Sequence, residues 1–116
     1  MSNMVEVGRT GELEDGTMKE VLVSDREILL ARAGDTYYVA ENRCPHMGGK
    51  LSGGKLEGTV VTCPLHGSQF DLTNGHVVRW LKGSGLLSKV GKILKSPSPL
   101  TTYKVRIEED KVLVEM

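Results

Sequence analysis

Aromatic side chains are scarce in this chain of 116 residues, which has one Phe, one Trp and three Tyr. Aromatic packing alone cannot build its core, so something else must help hold the fold. No apolar run approaches the roughly 18–20 residues that cross a bilayer, so no transmembrane segment is expected. The opening Met1-Ser2-Asn3-Met4-Val5-Glu6 has no basic stretch followed by an apolar one. No secretory signal is therefore expected, and the cytoplasm is the expected location. Net charge is absent as well: 15 Lys and Arg balance 15 Asp and Glu. That excludes bulk electrostatic attraction to nucleic acid. Cysteine is nearly missing, with only Cys44 and Cys63. Small disulfide scaffolds use four or more, so these two are either buried thiols or groups with chemistry to do.

What remains is an ordinary globular balance, 39% apolar and 26% charged, at a length that suits one domain spanning 1–116. Both ends read as β. Residues 19–23 and 26–31 are short apolar runs separated by Ser24-Asp25. Ala33-Gly34-Asp35 turns into residues 36–40, which are rich in β-formers. Further on, residues 101–107 alternate, Glu108-Glu109-Asp110 turns, and residues 111–115 close a hairpin. Strands at this spacing imply an all-β sandwich or small barrel. The charges are unevenly spread. Residues 1–40 carry eight acids and four bases, whereas 76–97 carry five bases and no acid.

Between the β ends the composition changes. Residues 41–75 hold half of the 14 glycines, both cysteines and two of the three histidines. Apolar periodicity is weak there, except at Gly58-Thr59-Val60-Val61-Thr62, a strand leading into Cys63. A loop-rich unit of this size needs a covalent or metal staple. Cys44-Pro45-His46 and Cys63-Pro64-Leu65-His66 are the candidates, each offering one thiolate and one imidazole. A lone cysteine is most often a small buried hydrophobe. Two Cys/His arms, each with proline after the cysteine and glycine soon after the histidine, point instead to metal ligation. Zinc accepts two Cys and two His. Zinc fingers of that composition, however, pair like with like along the chain. Here each arm gives one of each, so the cysteines can meet on one iron and the histidines on another. That is the ligand set of a Rieske [2Fe–2S] centre.

The runs Cys44-Pro45-His46-Met47-Gly48-Gly49-Lys50-Leu51 and Cys63-Pro64-Leu65-His66-Gly67-Ser68-Gln69-Phe70-Asp71 resemble the two cluster-binding boxes of Rieske-type ferredoxins. The likeness runs on through Leu72-Thr73-Asn74-Gly75 and covers most of the chain. It implies a Rieske fold: an antiparallel β base domain, a small loop-rich cluster-binding subdomain at about 41–80, and one [2Fe–2S] cluster. It also implies that Cys44 and Cys63 hold a buried iron and that His46 and His66 hold the iron nearer solvent. Ser96-Pro97-Ser98-Pro99 would be the proline-bearing loop over the cluster, with Met47 shielding it from water. Respiratory members brace their loops with a disulfide. The matching positions here are Gly49 and Leu65, so that bridge cannot form. Those members also carry a tyrosine that donates to a ligand sulfur, and here Phe70 has no donor. Ser68 keeps the place of a serine that donates to a bridging sulfide. Gln69 and Asp71 are expected to be structural, and His76 to be an ordinary strand residue.

The resemblance implies a soluble, monomeric one-electron carrier without substrate chemistry of its own. It would pass electrons from a flavoprotein reductase to an oxygenase or another terminal redox enzyme. The rival reading is a small electron-transfer or regulatory subunit of a nitrite reductase-like complex. A zinc domain and a nucleophilic Cys63 fit the duplicated motif less well, and a complete oxygenase would not fit the length. One stretch departs from the family pattern by about a dozen extra residues. Leu86, Leu87, Val90, Ile93 and Leu94 share a helical face, with Lys89, Lys92 and Lys95 opposite. Ser84 is placed to cap that helix and Pro97 to stop it, giving a helical insertion at about 84–96. It would cover the base, dock a partner, or make weak contact with an anionic membrane.

Overall fold

A computed structural model of the chain describes residues 4–45, 49–64, 67–79 and 99–115. The helix expected over 84–96 and Pro97 lie outside the described residues. Eleven strands and one short 3-10 turn make up the described regular structure. They are β1 (Met4–Arg9), β2 (Met18–Val23), β3 (Arg26–Ala33), β4 (Thr36–Glu41), the turn Leu51–Gly53, β5 (Lys55–Glu57) and β6 (Val60–Thr62). After them come β7 (Gln69–Asp71), β8 (Val77–Arg79), β9 (Thr102–Tyr103), β10 (Val105–Glu108) and β11 (Lys111–Glu115). The all-β expectation holds, and every described strand pairing is antiparallel.

Three sheets are stacked. The first has the order β1-β11-β10, the second β2-β3-β4-β9 and the third β5-β6-β7-β8. Strand β3 explains the stacking. Its residues Ile28, Leu29, Leu30 and Ala31 are all buried, a continuous run rather than an alternation, so both faces of the middle sheet are covered. Ile28 and Leu30 pack with Val7, Tyr37, Val39, Val112 and Val114 against the first sheet. Leu29 and Ala31 point the other way and pack with Ala40, Leu51, Val61, Phe70, Leu72 and both cysteines. The period of two in strand side chains thus divides one strand between two cores. The outer core belongs to the sheet sandwich, and the inner one carries the candidate site.

The C-terminal strand expected over 101–107 is two strands. Tyr103 pairs with Val39 of the middle sheet, whereas Val105 pairs with Val114 of the first. Lys104 is the crossing point, and its carbonyl accepts from the Glu115 N–H at 3.1 Å. Two-residue turns close two hairpins, Ser24-Asp25 between Val23 and Arg26 and Glu109-Asp110 between Glu108 and Lys111. Ser24 and Glu109 adopt left-handed φ values of 55° and 56°.

Candidate metal centre

The two candidate arms leave strands of different sheets and close in the same way. Cys44 follows β4, and its N–H donates to the Gly49 carbonyl at 2.8 Å. Cys63 follows β6, and its N–H donates to the Ser68 carbonyl at 2.8 Å. In each arm a cysteine amide reaches the carbonyl five residues on, which draws the two ends of the arm together. A second bond, from the Gly67 N–H to the Cys63 carbonyl at 3.1 Å, tightens the second loop. His46 and His66 belong to these two spans of sequence. Together with Met47, Gly48 and Leu65 they lie outside the described residues. Both cysteines are 2% exposed and share one core with Leu51, Val61 and Phe70. No disulfide joins them. Two soft sulfur donors are thus brought into one water-poor core from loops of matching closure, which suits an iron–sulfur group. Among the described residues no three metal-ligating side chains cluster, and of the four expected ligands only Cys44 and Cys63 are described.

Polar side chains fasten the first loop at both ends. Arg43 precedes Cys44 and Lys50 follows Gly49, and both cations bind the Glu27 carboxylate on β3. Lys50 Nζ lies 2.9 Å from Glu27 and 3.2 Å from Glu20. Hydrogen bonds from Lys50, then from Arg43, hold the Glu27 carboxyl down to about 2. Lys50 is raised in turn by the same contacts with Glu27 and Glu20. Beside them sits Asn42, fully buried. Its amide donates to Glu20 and to Ser52 Oγ, both at 2.9 Å, and its Oδ1 accepts from the Ser52 N–H at 2.8 Å. Asn42 therefore ties the middle sheet to the 3-10 turn that follows the loop. A buried amide satisfied on every side favours one arrangement of those elements.

The second loop is seated by close backbone approach. A Cβ on Gly54 would lie 1.8 Å from the Thr62 carbonyl oxygen and 3.2 Å from Pro64 Cδ. Past the loop, Ser68 and Phe70 are fully buried. Arg79 at the end of β8 reaches back with Nε and Nη2, 3.1 and 3.0 Å from the Gly67 carbonyl. Gln69 donates to Thr62 Oγ1 at 3.2 Å. Asp71 accepts from the Thr73 N–H at 2.9 Å and from its hydroxyl at 2.7 Å. Those bonds, the backbone one first, lower its pKa. Gln69 and Asp71 thus make the structural contacts expected of them. His76 departs slightly from expectation: it sits one residue before β8, its N–H bonded to Asn74 Oδ1 at 2.8 Å.

Comparison with known proteins decides the family. A model of the Rieske [2Fe-2S] domain matches residues 3–96. The chain belongs to the Rieske [2Fe–2S] domain family. This Rieske domain is 29% identical over 114 residues to the ferredoxin component of the naphthalene 1,2-dioxygenase/salicylate 5-hydroxylase systems of a Ralstonia species. The match covers 98% of this chain and 96% of that one. Among solved structures it resembles the ferredoxin of carbazole 1,9a-dioxygenase from Nocardioides aromaticivorans IC177, with a TM-score of 0.77 and 25% identity over 97% of each chain. It also resembles a chain in a complex of reduced oxygenase and oxidised ferredoxin in carbazole 1,9a-dioxygenase. There the TM-score is 0.75 at 28% identity, covering 95% of this chain and 99% of that one. The Rieske domain carries one Rieske-type [2Fe–2S] cluster, and its role is that of an electron carrier. Its fastening residues Glu27, Asn42, Gly54 and Arg79 were not singled out by sequence reasoning. Only Arg79 left any signal there, as the first of the five bases in 76–97.

Proposed function

We propose that this Rieske domain is the ferredoxin component of an oxygenase system. It takes one electron from a flavoprotein reductase and delivers it to a terminal oxygenase, with no substrate chemistry of its own. The observation that carries this reading is the pair of matched loops. Each is closed from a buried cysteine, in a chain that aligns nearly end to end with the ferredoxin component of a dioxygenase system. Cys44 and Cys63 would hold one iron, and His46 and His66 the other. The bound cluster supplies a site for one electron, and its neutral imidazoles lower the negative charge that the electron meets. The chain's own residues give that site its setting. The apolar core around Cys44 and Cys63 excludes water, and Arg43, Lys50 and Glu27 fix the first loop. Met47 and Pro97 would shield the remaining sides. In the same reading 1–116 is one Rieske domain, with its cluster-binding subdomain at about 41–80 and a helical insertion at about 84–96. Among the described residues no helix is long and apolar enough to cross a membrane. We place the carrier in the cytoplasm, as a monomer.

The test starts from metal content. The purified holoprotein is expected to hold iron and labile sulfide in the two-to-two ratio of its cluster, and to show mixed Cys/His ligation by electron paramagnetic resonance. His46→Ala and His66→Ala are each expected to abolish that signal. Rapid mixing with a reduced flavoprotein reductase, then with an oxidised oxygenase, should move one electron in each step. A colourless zinc protein would overturn the ligand assignment. A loaded protein that exchanges electrons only with a nitrite reductase-like enzyme would overturn the choice of partner.

A further inference from the structure

The two ligand loops differ in how their nearby positive charge is balanced. Arg43 and Lys50, at the ends of the first loop, are both matched by Glu27, and Lys50 by Glu20 as well. Arg79 touches the second loop, yet among the described residues no carboxylate forms an ion pair with it. The sequence beyond it offers none nearby, since 80–97 contains no acid. Its contact is specific. Two guanidinium nitrogens converge on one carbonyl, that of Gly67, the residue after His66. Gly67 has a φ of +75° and donates its own N–H to Cys63. The Gly67 carbonyl shares a trans peptide with the Ser68 N–H, so fixing the first orients the second to the opposite side. One side chain therefore sets the direction of the peptide that joins Gly67 to the buried Ser68.

We propose that Arg79 is a positioning residue for the second ligand loop and that its charge, which no carboxylate pairs among the described residues, raises the reduction potential of the cluster. This rests on the assignment of Cys63 and His66 as ligands. The loop needs such a tether because β8 is the edge of the third sheet and its pairing with β7 is irregular between Gln69 and Phe70. The charge matters because reduction makes the site more negative, and a cation beside the loop favours the state with the added electron.

Two substitutions in the loaded protein separate the two roles. Arg79→Gln keeps an amide donor and loses the charge. Arg79→Lys keeps the charge and loses the two-pronged grip. Voltammetry at low ionic strength is expected to show a lower potential for Arg79→Gln and a near wild-type potential for Arg79→Lys. The gap should shrink as salt is added. Release of iron to a ferrous chelator is expected to quicken several-fold in both variants. A potential unchanged in Arg79→Gln, whether or not iron release quickens, would overturn the proposal. So would a potential equally lowered in Arg79→Lys, or iron release unchanged in both variants. Should Arg79→Gln fail to fold, Arg79→Lys still tests the tether through its chelation rate. Absence of the mixed-ligand resonance signal from the wild type would overturn the ligand assignment instead, before any variant is compared.

Discussion

Gly53 and Gly54 are neighbours with opposite constraints. A Cβ on Gly53 would meet only Pro64 Cγ, at 3.9 Å, whereas one on Gly54 would strike the Thr62 carbonyl at 1.8 Å. That carbonyl shares its peptide with the Cys63 N–H, the donor that closes the second loop. Gly54→Ala must therefore displace the anchor of a ligand loop. It is expected to cost roughly 1–3 kcal/mol and to lower cluster occupancy. Gly53→Ala is expected to stay within about 0.5 kcal/mol of wild type. Urea titrations of the two variants check this, and equal costs would contradict it. Ser68 and Phe70, both fully buried beside the cysteines, bear on the potential. Hydrogen bonds to cluster sulfur favour the reduced, more negative state. Ser68→Ala is expected to lower the potential and Phe70→Tyr to raise it. The wild-type value is expected in the lower half of the roughly −150 to +300 mV Rieske range, and voltammetry on the three proteins decides. The candidate ligand residues stood out in the sequence because two Cys/His arms, with one and two intervening residues, are a rare pattern. Asn42 and Gly54 were not. Their partners Glu20 and Thr62 lie 22 and 8 positions away, and only the folded chain brings them together.

At the scale of elements, β3 does two jobs, since it divides its apolar residues between two cores and presents Glu27 to the first ligand loop. Its hairpins with β2 and β4 were readable from apolar runs broken by turn residues. Strands β5 and β7 are three residues each, too short for any periodicity to register, and β7 lies within the cluster box. The break at Lys104 was hidden because the alternation of 101–107 continues across it. Only the pairing partners change. The Glu27 contacts lead to a prediction about acid. Its carboxyl sits at about 2 in the folded chain against an ordinary 4.5, so the folded state prefers the charged form. The stability this contributes is fully present above pH 4.5. It is lost as the pH falls from there through about 2. Glu27→Gln removes the titration. The stability difference between wild type and Glu27→Gln is expected to be constant above pH 5 and to shrink steadily below it. Urea midpoints measured on both holoproteins at each pH test this, and a difference independent of pH would refute it.

Across the whole molecule the two cores have different needs. The outer one, between the first and middle sheets, is made of aliphatic residues and one tyrosine, Val7, Leu13, Ile28, Leu30, Tyr37, Val39, Val112 and Val114. It asks for nothing beyond burial. The inner one contains both cysteines, and around it lie short strands and loops with half of the glycines. A layer of short strands and glycine-rich loops is expected to lean on the bound cluster as its staple, so that binding energy there is folding energy. The layers do not separate freely, however. Leu100 donates its N–H to the Gly75 carbonyl at 2.8 Å, and a Cβ on Gly75 would lie 2.1 Å from the Leu100 carbonyl. That contact pins the far end of the cluster layer to the segment returning to the middle sheet. Removing the iron by chelation under reducing conditions should therefore loosen one layer without melting the molecule. Amide exchange is expected to quicken strongly at Cys44, Cys63 and Gly67, whose N–H groups close the ligand loops. It should quicken less at Leu100, and least in β3, β4 and β11. Exchange that quickens evenly over all three sheets would mean the cluster holds up the whole fold. Exchange unchanged at Cys44 and Cys63 would mean that the loops keep their shape without it.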